Sequence, residues 1–221
     1  MNIAEKLTTV AENMPKVFEA GKKSEYDGFW DVYQENGKRT NYNNAFSGVG
    51  WTSATYKPKY PIKPTNAATM YSNSRIDVHI DIDTSQCTTL QQLIQSSTIP
   101  SLGVIDARST TESSALARTF QSGNLISVEK LILKDDGSQT FSNTFYGCSM
   151  LTHLVIEGTI GQNGLDLSRS IKLPHDNLMS IINSLQNKTS GTWTVTLGST
   201  NLAKLTDAEK AIATQKGWTL L

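Results

Sequence analysis

The chain has no surplus of charge of either sign: its 221 residues carry 20 basic and 20 acidic side chains. A general nucleic-acid surface needs a basic excess, so that class of partner is not expected. Only 2 cysteines are present, too few for a disulfide framework. No apolar run approaches the roughly 18 residues of a membrane span, so no membrane insertion is expected. The start, Met1-Asn-Ile-Ala-Glu-Lys-Leu7, lacks the basic-then-apolar layout of a signal peptide. That leaves a cytoplasmic or virion-associated location, or an extracellular one if a signal was trimmed. The 3 histidines, His79, His153 and His175, have no Cys, His or Asp partner at metal-ligand spacing. Nucleophile-elbow, His-Glu-x-x-His and phosphate-loop motifs are also missing. The expectation is a protein without metal, cofactor or enzymatic activity.

What is present is a repeated apolar pattern. Ile99-x-x-Leu102-x-Val104, Val128-x-x-Leu131-x-Leu133 and Leu151-x-x-Leu154-x-Ile156 share one spacing, and Val195-x-Leu197 and Trp218-x-Leu220 keep part of it. The middle residues Leu102, Leu131, Leu154, Val195 and Trp218 lie 29, 23, 41 and 23 residues apart. The long interval holds an insertion that begins with Gly158-Thr-Ile-Gly161-Gln-Asn-Gly164. Upstream, Ile76-x-Val78-x-Ile80-x-Ile82 alternates strictly and predicts a strand. A short helix is expected before each strand: residues 89–94, 115–120 and 141–145. The strongest helical spacing lies at Leu178, Ile181, Ile182 and Leu185, with Asp176 as the expected N-cap. Thr206-Asp-Ala-Glu209 is a capping box, and Gly217 is free to end that last helix in a left-handed cap. Self-similarity at 20 to 30 residues predicts a solenoid in which each unit covers its neighbour's apolar face.

Within residues 141–156 the order is aromatic, three residues, aromatic, Gly-Cys and a leucine-spaced strand, carried by Phe141, Phe145, Gly147, Cys148, Leu151, Leu154 and Ile156. In these residues the chain resembles the BspA-like leucine-rich repeat proteins. Phe120 with Gly123 matches in part. The segments Phe29-Trp30-Asp31-Val32-Tyr33 and Ala45 to Trp51, with the closing Lys216-Gly-Trp218, resemble leucine-rich repeat proteins of gut Firmicutes and their prophages. The resemblance implies an α/β leucine-rich-repeat solenoid of short helix–strand units with a parallel sheet, and a phage or prophage setting. It implies no activity.

Three regions follow. Residues 1–20 form an N-terminal helix in which Ile3, Leu7, Val10, Met14 and Val17 make a heptad seam. That seam reads either as a helix capping the solenoid or as a short coiled coil joining copies of the chain. Pro15 interrupts it. Residues 21–75 read as a linker and an irregular cap. There Tyr26, Phe29, Trp30 and Tyr33 share a helical face, read as core. Residues 76–221 form the degenerate repeat domain. Cys87 and Cys148 fall in different units and read as buried free thiols.

The surface left for function is the outward side of the strands. It comprises Glu129, Lys130, Ile132 and Lys134 in one unit and Thr152, His153, Val155 and Glu157 in the next, followed by Thr194 and Thr196. Stacking is expected to set Ile132 beside Val155, Thr196 and Thr219, and Lys134 beside Glu157. The expected role is a non-enzymatic module contacting a protein or surface glycan, with a purely architectural domain as the alternative. A carbohydrate-active enzyme on the same scaffold would have to draw on Asp81, Asp83 and Asp106.

Overall fold

The computed structural model describes residues 33–51, 56 and 58–221. The heptad seam, with Tyr26, Phe29 and Trp30, lies outside the described residues. The fold is mixed α/β with small parallel sheets and few helices. Its strands are β1 (Gly50–Trp51), β2 (Arg75–Ile76), β3 (Ser101–Asp106), β4 (Ser127–Ile132), β5 (His153–Glu157), β6 (Trp193–Val195) and β7 (Trp218–Leu220). All paired strands run parallel, as β1–β2, β3–β4–β5 and β6–β7. Helices enter only near the C-terminus: α1 (His175–Asn183), α2 (Ser199–Leu202) and α3 (Asp207–Gln215).

The short helices expected before the strands are turns, apart from one 3₁₀ turn at Ser113–Leu116. Six-residue turn segments at 43–48, 68–73, 91–96 and 142–147 stack one on the next, with a shorter one at 117–120. The hydrogen bonds explain why no α-helix forms. Leu93 and Gln95 donate to the carbonyls three residues back, Leu90 and Gln92. The alternate groups, on Gln92, Ile94 and Ser96, donate instead to Ala117, Thr119 and Gln121 of the next rung. A helix would consume every N–H internally. Here half of them tie one rung to the next, and Gln92 and Ser96 take φ 57° and 56° to turn the chain. Each fourth side chain still points inward, so Phe141 and Phe145 are both buried. Phe145 stacks on Phe120 of the preceding rung at 5.0 Å, as Phe46 does on Tyr71 at 5.3 Å. The same stacking therefore reaches N-terminally through the aromatic segment around Tyr42, Phe46 and Trp51.

Strand register is more even than the sequence spacing suggested. Leu102 pairs with Val128, and Val128 with Leu154, two steps of 26 residues (102, 128, 154). In β3 the inward residues are Leu102 and Ile105, while Val104 is 39% exposed. The expected placement of Val104 in the core is thus corrected, and Ile105, opposite Leu131, takes its place. The run Ile76 to Ile82 is no continuous strand either. Only Arg75–Ile76 is strand, Val78 lies in a bend, and Ile80 makes a single bridge to Leu102.

The 41-residue interval is filled by α1, which closes the open edge of β5. The buried Asn177 side chain accepts from the Leu154 N–H at 3.0 Å, and the Ser184 hydroxyl donates to the Ile156 carbonyl at 3.1 Å. An uncovered edge would present unpaired groups to other chains. The N-cap of α1 is Pro174 rather than Asp176, which sits in the first turn. There its charge suits the positive end of the helix dipole. The capping box of α3 is present, with Thr206 N–H to Glu209 at 2.7 Å and Glu209 N–H to Thr206 at 3.3 Å, and Gly217 follows at φ 81°. Both cysteines are free and buried. Burial pushes the Cys148 thiol up to about 11, its Sγ lying 2.9 Å from the Phe120 carbonyl.

His175 joins the two helix starts. Its ring contacts Asp176 at 3.1 Å and Glu209 at 2.8 Å, and these carboxylates raise its pKa while the Thr206 N–H and His175 lower that of Glu209. The raised histidine stabilises the fold below about pH 6.5 and loses that effect as pH rises through its folded value. The depressed Glu209 contributes above about pH 4.5 and loses it on acidification. The melting-temperature gap between the native chain and His175→Gln should therefore be widest between about pH 4.5 and 6.5 and shrink above it. A gap independent of pH would contradict this linkage.

Candidate functional site: the outward face of the strands

Every residue expected on the binding face is at least partly exposed, but the structure does not bring all of them together. Glu129, Lys130, Ile132 and Lys134 follow β4, and Thr152, His153, Val155 and Glu157 follow β5, so these eight share one face. Thr194 and Thr196 belong to the separate β6–β7 sheet, where Thr194 pairs with Thr219 and Thr196 with Asp166. A register shift between Val128 and Leu131 places Ile132 opposite Glu157. The expected row of Ile132, Val155, Thr196 and Thr219 is therefore corrected. Glu157 meets Lys130 at 2.8 Å rather than Lys134. Such an exposed pair contributes about 0.2–1 kcal/mol.

Register also makes a row that spacing does not reveal. Ser101 lies opposite Ser127, and Ser127 opposite His153. At the open end of the row, His79 sits between two partners: its Nδ1 is 2.9 Å from Ser101 Oγ and its Nε2 is 3.0 Å from Asp81 Oδ1. Gly103 leaves room for them, since a Cβ there would run into the Asp81 carboxylate and lie 3.8 Å from His79 Nε2. The alternation of His79, Ile80 and Asp81 predicts that the two polar groups share a face. Ser101, 22 residues on, is reached only through the pairing of Ile80 with Leu102.

No family model, curated protein or solved structure matches this chain. Its chemistry must be judged from its own geometry. Asp83 accepts from Ser85 N–H at 3.2 Å and faces Lys63 at 3.4 Å, while Asp106 is clasped by Arg108 at 2.6 Å. These donors lower both pKa values. A glycosidase acid needs a carboxyl held protonated, which is the opposite arrangement. Asp136 and Asp166 likewise accept from the N–H groups of Ser138 and Ser168, so these aspartates turn the chain at strand ends. The Asp-x-Ser spacing at 83, 136 and 166 was the signal for this structural role.

Among the described residues, no group of His, Cys, Asp and Glu could hold a metal ion. No described helix is long and apolar enough to cross a membrane. A cleft of about 440 Å³ lies beside the N-terminal rung, lined by Glu35, Lys38, Arg39, Thr40, Asn41 and Asn43. Its lining is wholly polar, unlike the mostly apolar walls of a small-molecule pocket.

Proposed function

We propose that the chain is a BspA-like leucine-rich-repeat module that contacts a protein or a cell-surface glycan without catalytic turnover. Two observations support the solenoid reading: the even 26-residue register of β3, β4 and β5, and the stacked turns beneath Phe120 and Phe145. The observation that carries the binding role is the exposed face of β4 and β5. Eight solvent-facing side chains there stand on adjacent strands whose apolar partners, Val128, Leu131, Leu154 and Ile156, are committed to the core. The face has no aromatic anchor, so each contact is weak and useful binding comes from many copies acting together. A phage or prophage particle would supply that multiplicity, and the family resemblance points the same way.

An architectural role is the second reading. The Lys130–Glu157 pair favours it, because the two charges satisfy each other rather than face outward unmatched. Fluorescently labelled chain, displayed in many copies on a bead, tests the choice on a glycan array and on cells of the producing organism. Binding that saturates and is competed by free chain supports the module. A clean negative on both surfaces leaves the architectural domain.

A further inference from the structure

We propose that Ser101 is a nucleophile activated by His79 and that it takes the acyl group from activated donors such as aryl esters and thioesters. This inference concerns the reactivity of one hydroxyl, and it stands whether or not the wider face binds a partner.

The geometry is that of a hydroxyl, an imidazole and a carboxylate in series. The Asp81 carboxylate can only accept, so the His79 nitrogen 3.0 Å away, Nε2, carries the proton. That leaves Nδ1 with a free lone pair, 2.9 Å from Ser101 Oγ, which is where a general base must stand. The ring is turned over relative to the familiar serine triad, but the roles of the two nitrogens are the same in kind. Asp81 fixes the tautomer and faces the charge that develops on the ring, which makes it a positioning residue. Gly103, in the middle of β3, carries no side chain where the His79–Asp81 pair lies against the strand. The charged groups nearby on the adjoining strands are Asp106 of β3, clasped by Arg108, and Lys130 of β4, held by Glu157. No printed contact of either pair reaches the His79 ring.

In the reaction Ser101 Oγ bonds to the acyl carbon while its proton passes to His79 Nδ1. The bond from that carbon to the leaving oxygen or sulfur then breaks, and the imidazolium gives its proton to the leaving group. The His79 and Asp81 side chains are 48% and 80% exposed. Water around them weakens the electrostatic help the carboxylate gives, so the reaction suits activated donors and a single covalent capture.

A fluorophosphonate probe reads this chemistry on the full chain. Oγ would displace fluoride from phosphorus, with the proton again going to His79, and intact-mass and peptide analysis would find the adduct on Ser101. The expected rate is at least about tenfold above that of His79→Ala, at the low end of what a positioned base contributes. Ser101→Ala should give no adduct at this peptide. Asp81→Asn keeps the shape but can donate to Nε2 and favour the wrong tautomer, so it should slow labelling at least about tenfold, while Asp81→Glu retains most of it. A role in folding alone would not separate Asn from Glu. Gly103→Ala should slow labelling with the far-UV circular dichroism unchanged. Absence of a Ser101 adduct in the native chain, or an adduct rate unchanged in His79→Ala, would overturn the proposal.

Discussion

Replacing Phe145 with alanine should cost the fold about 3–5 kcal/mol, the range for deleting a buried aromatic ring. Phe145 is 1% exposed and lies on Phe120 with the ring planes 22° apart. The substitution removes the ring's transfer free energy and leaves a void between two rungs that hydrogen bonds such as Phe120 N–H to Thr144 hold at a fixed spacing. Because the rungs cannot close on the void, the loss should sit toward the upper part of that range. Natural domains have only about 5–15 kcal/mol of stability in all. The neighbour Tyr146 is 54% exposed, and Tyr146→Ala should change stability by no more than about 0.5 kcal/mol. Urea unfolding of both variants checks the pair. Similar costs at 145 and 146 would mean that the turn segment does not point Phe145 inward.

Gly158→Ala should cost about 2–4 kcal/mol. Two terms combine. An L side chain at φ 92° carries about 1–3 kcal/mol of backbone strain. The added Cβ would also overlap the Leu133 carbonyl of the rung below. Relieving that overlap stretches the Leu133 N–H to Glu157 bond, now 2.8 Å, for about a further 1 kcal/mol. Gly48 provides the comparison. It sits at φ 71° with nothing near its missing Cβ, so Gly48→Ala should show the strain alone. Equal losses at the two positions, measured by denaturant unfolding, would show that rung contact adds nothing at Gly158.

These positions also show why part of the fold could be read from the sequence and part could not. The inward residues of β4 and β5 follow from leucine spacing, because a half-buried strand has to alternate. The same spacing misplaced Val104, since Leu102, Val104 and Ile105 offer two apolar patterns and only pairing with β4 selects Ile105. Phe141 and Phe145, four apart, suit a helix face and a stacked turn equally well. The choice depends on whether alternate N–H groups bond inside the segment or to the next rung, which local sequence does not display. The 41-residue interval signalled an insertion, but not that Asn177 and Ser184 of α1 stand in for a strand at the β5 edge. On the outward face, the one-residue shift after Val128 moved Glu157 from Lys134 to Lys130. Ser101 escaped notice because its partner, His79, is a neighbour only across strands.

The most direct test of the binding role compares two surface variants by the avidity of the bead-displayed chain for its target surface. Lys130→Glu combined with His153→Ala changes the outward face and should lower apparent affinity at least about tenfold, the loss of roughly 1.4 kcal/mol summed over weak repeated contacts. Asn143→Gly, at an exposed left-handed turn position (φ 53°), should leave it unchanged. Equal affinity of the face variant and the native chain, or a greater loss in the turn variant, would contradict the assignment of the β4–β5 face as the surface of recognition.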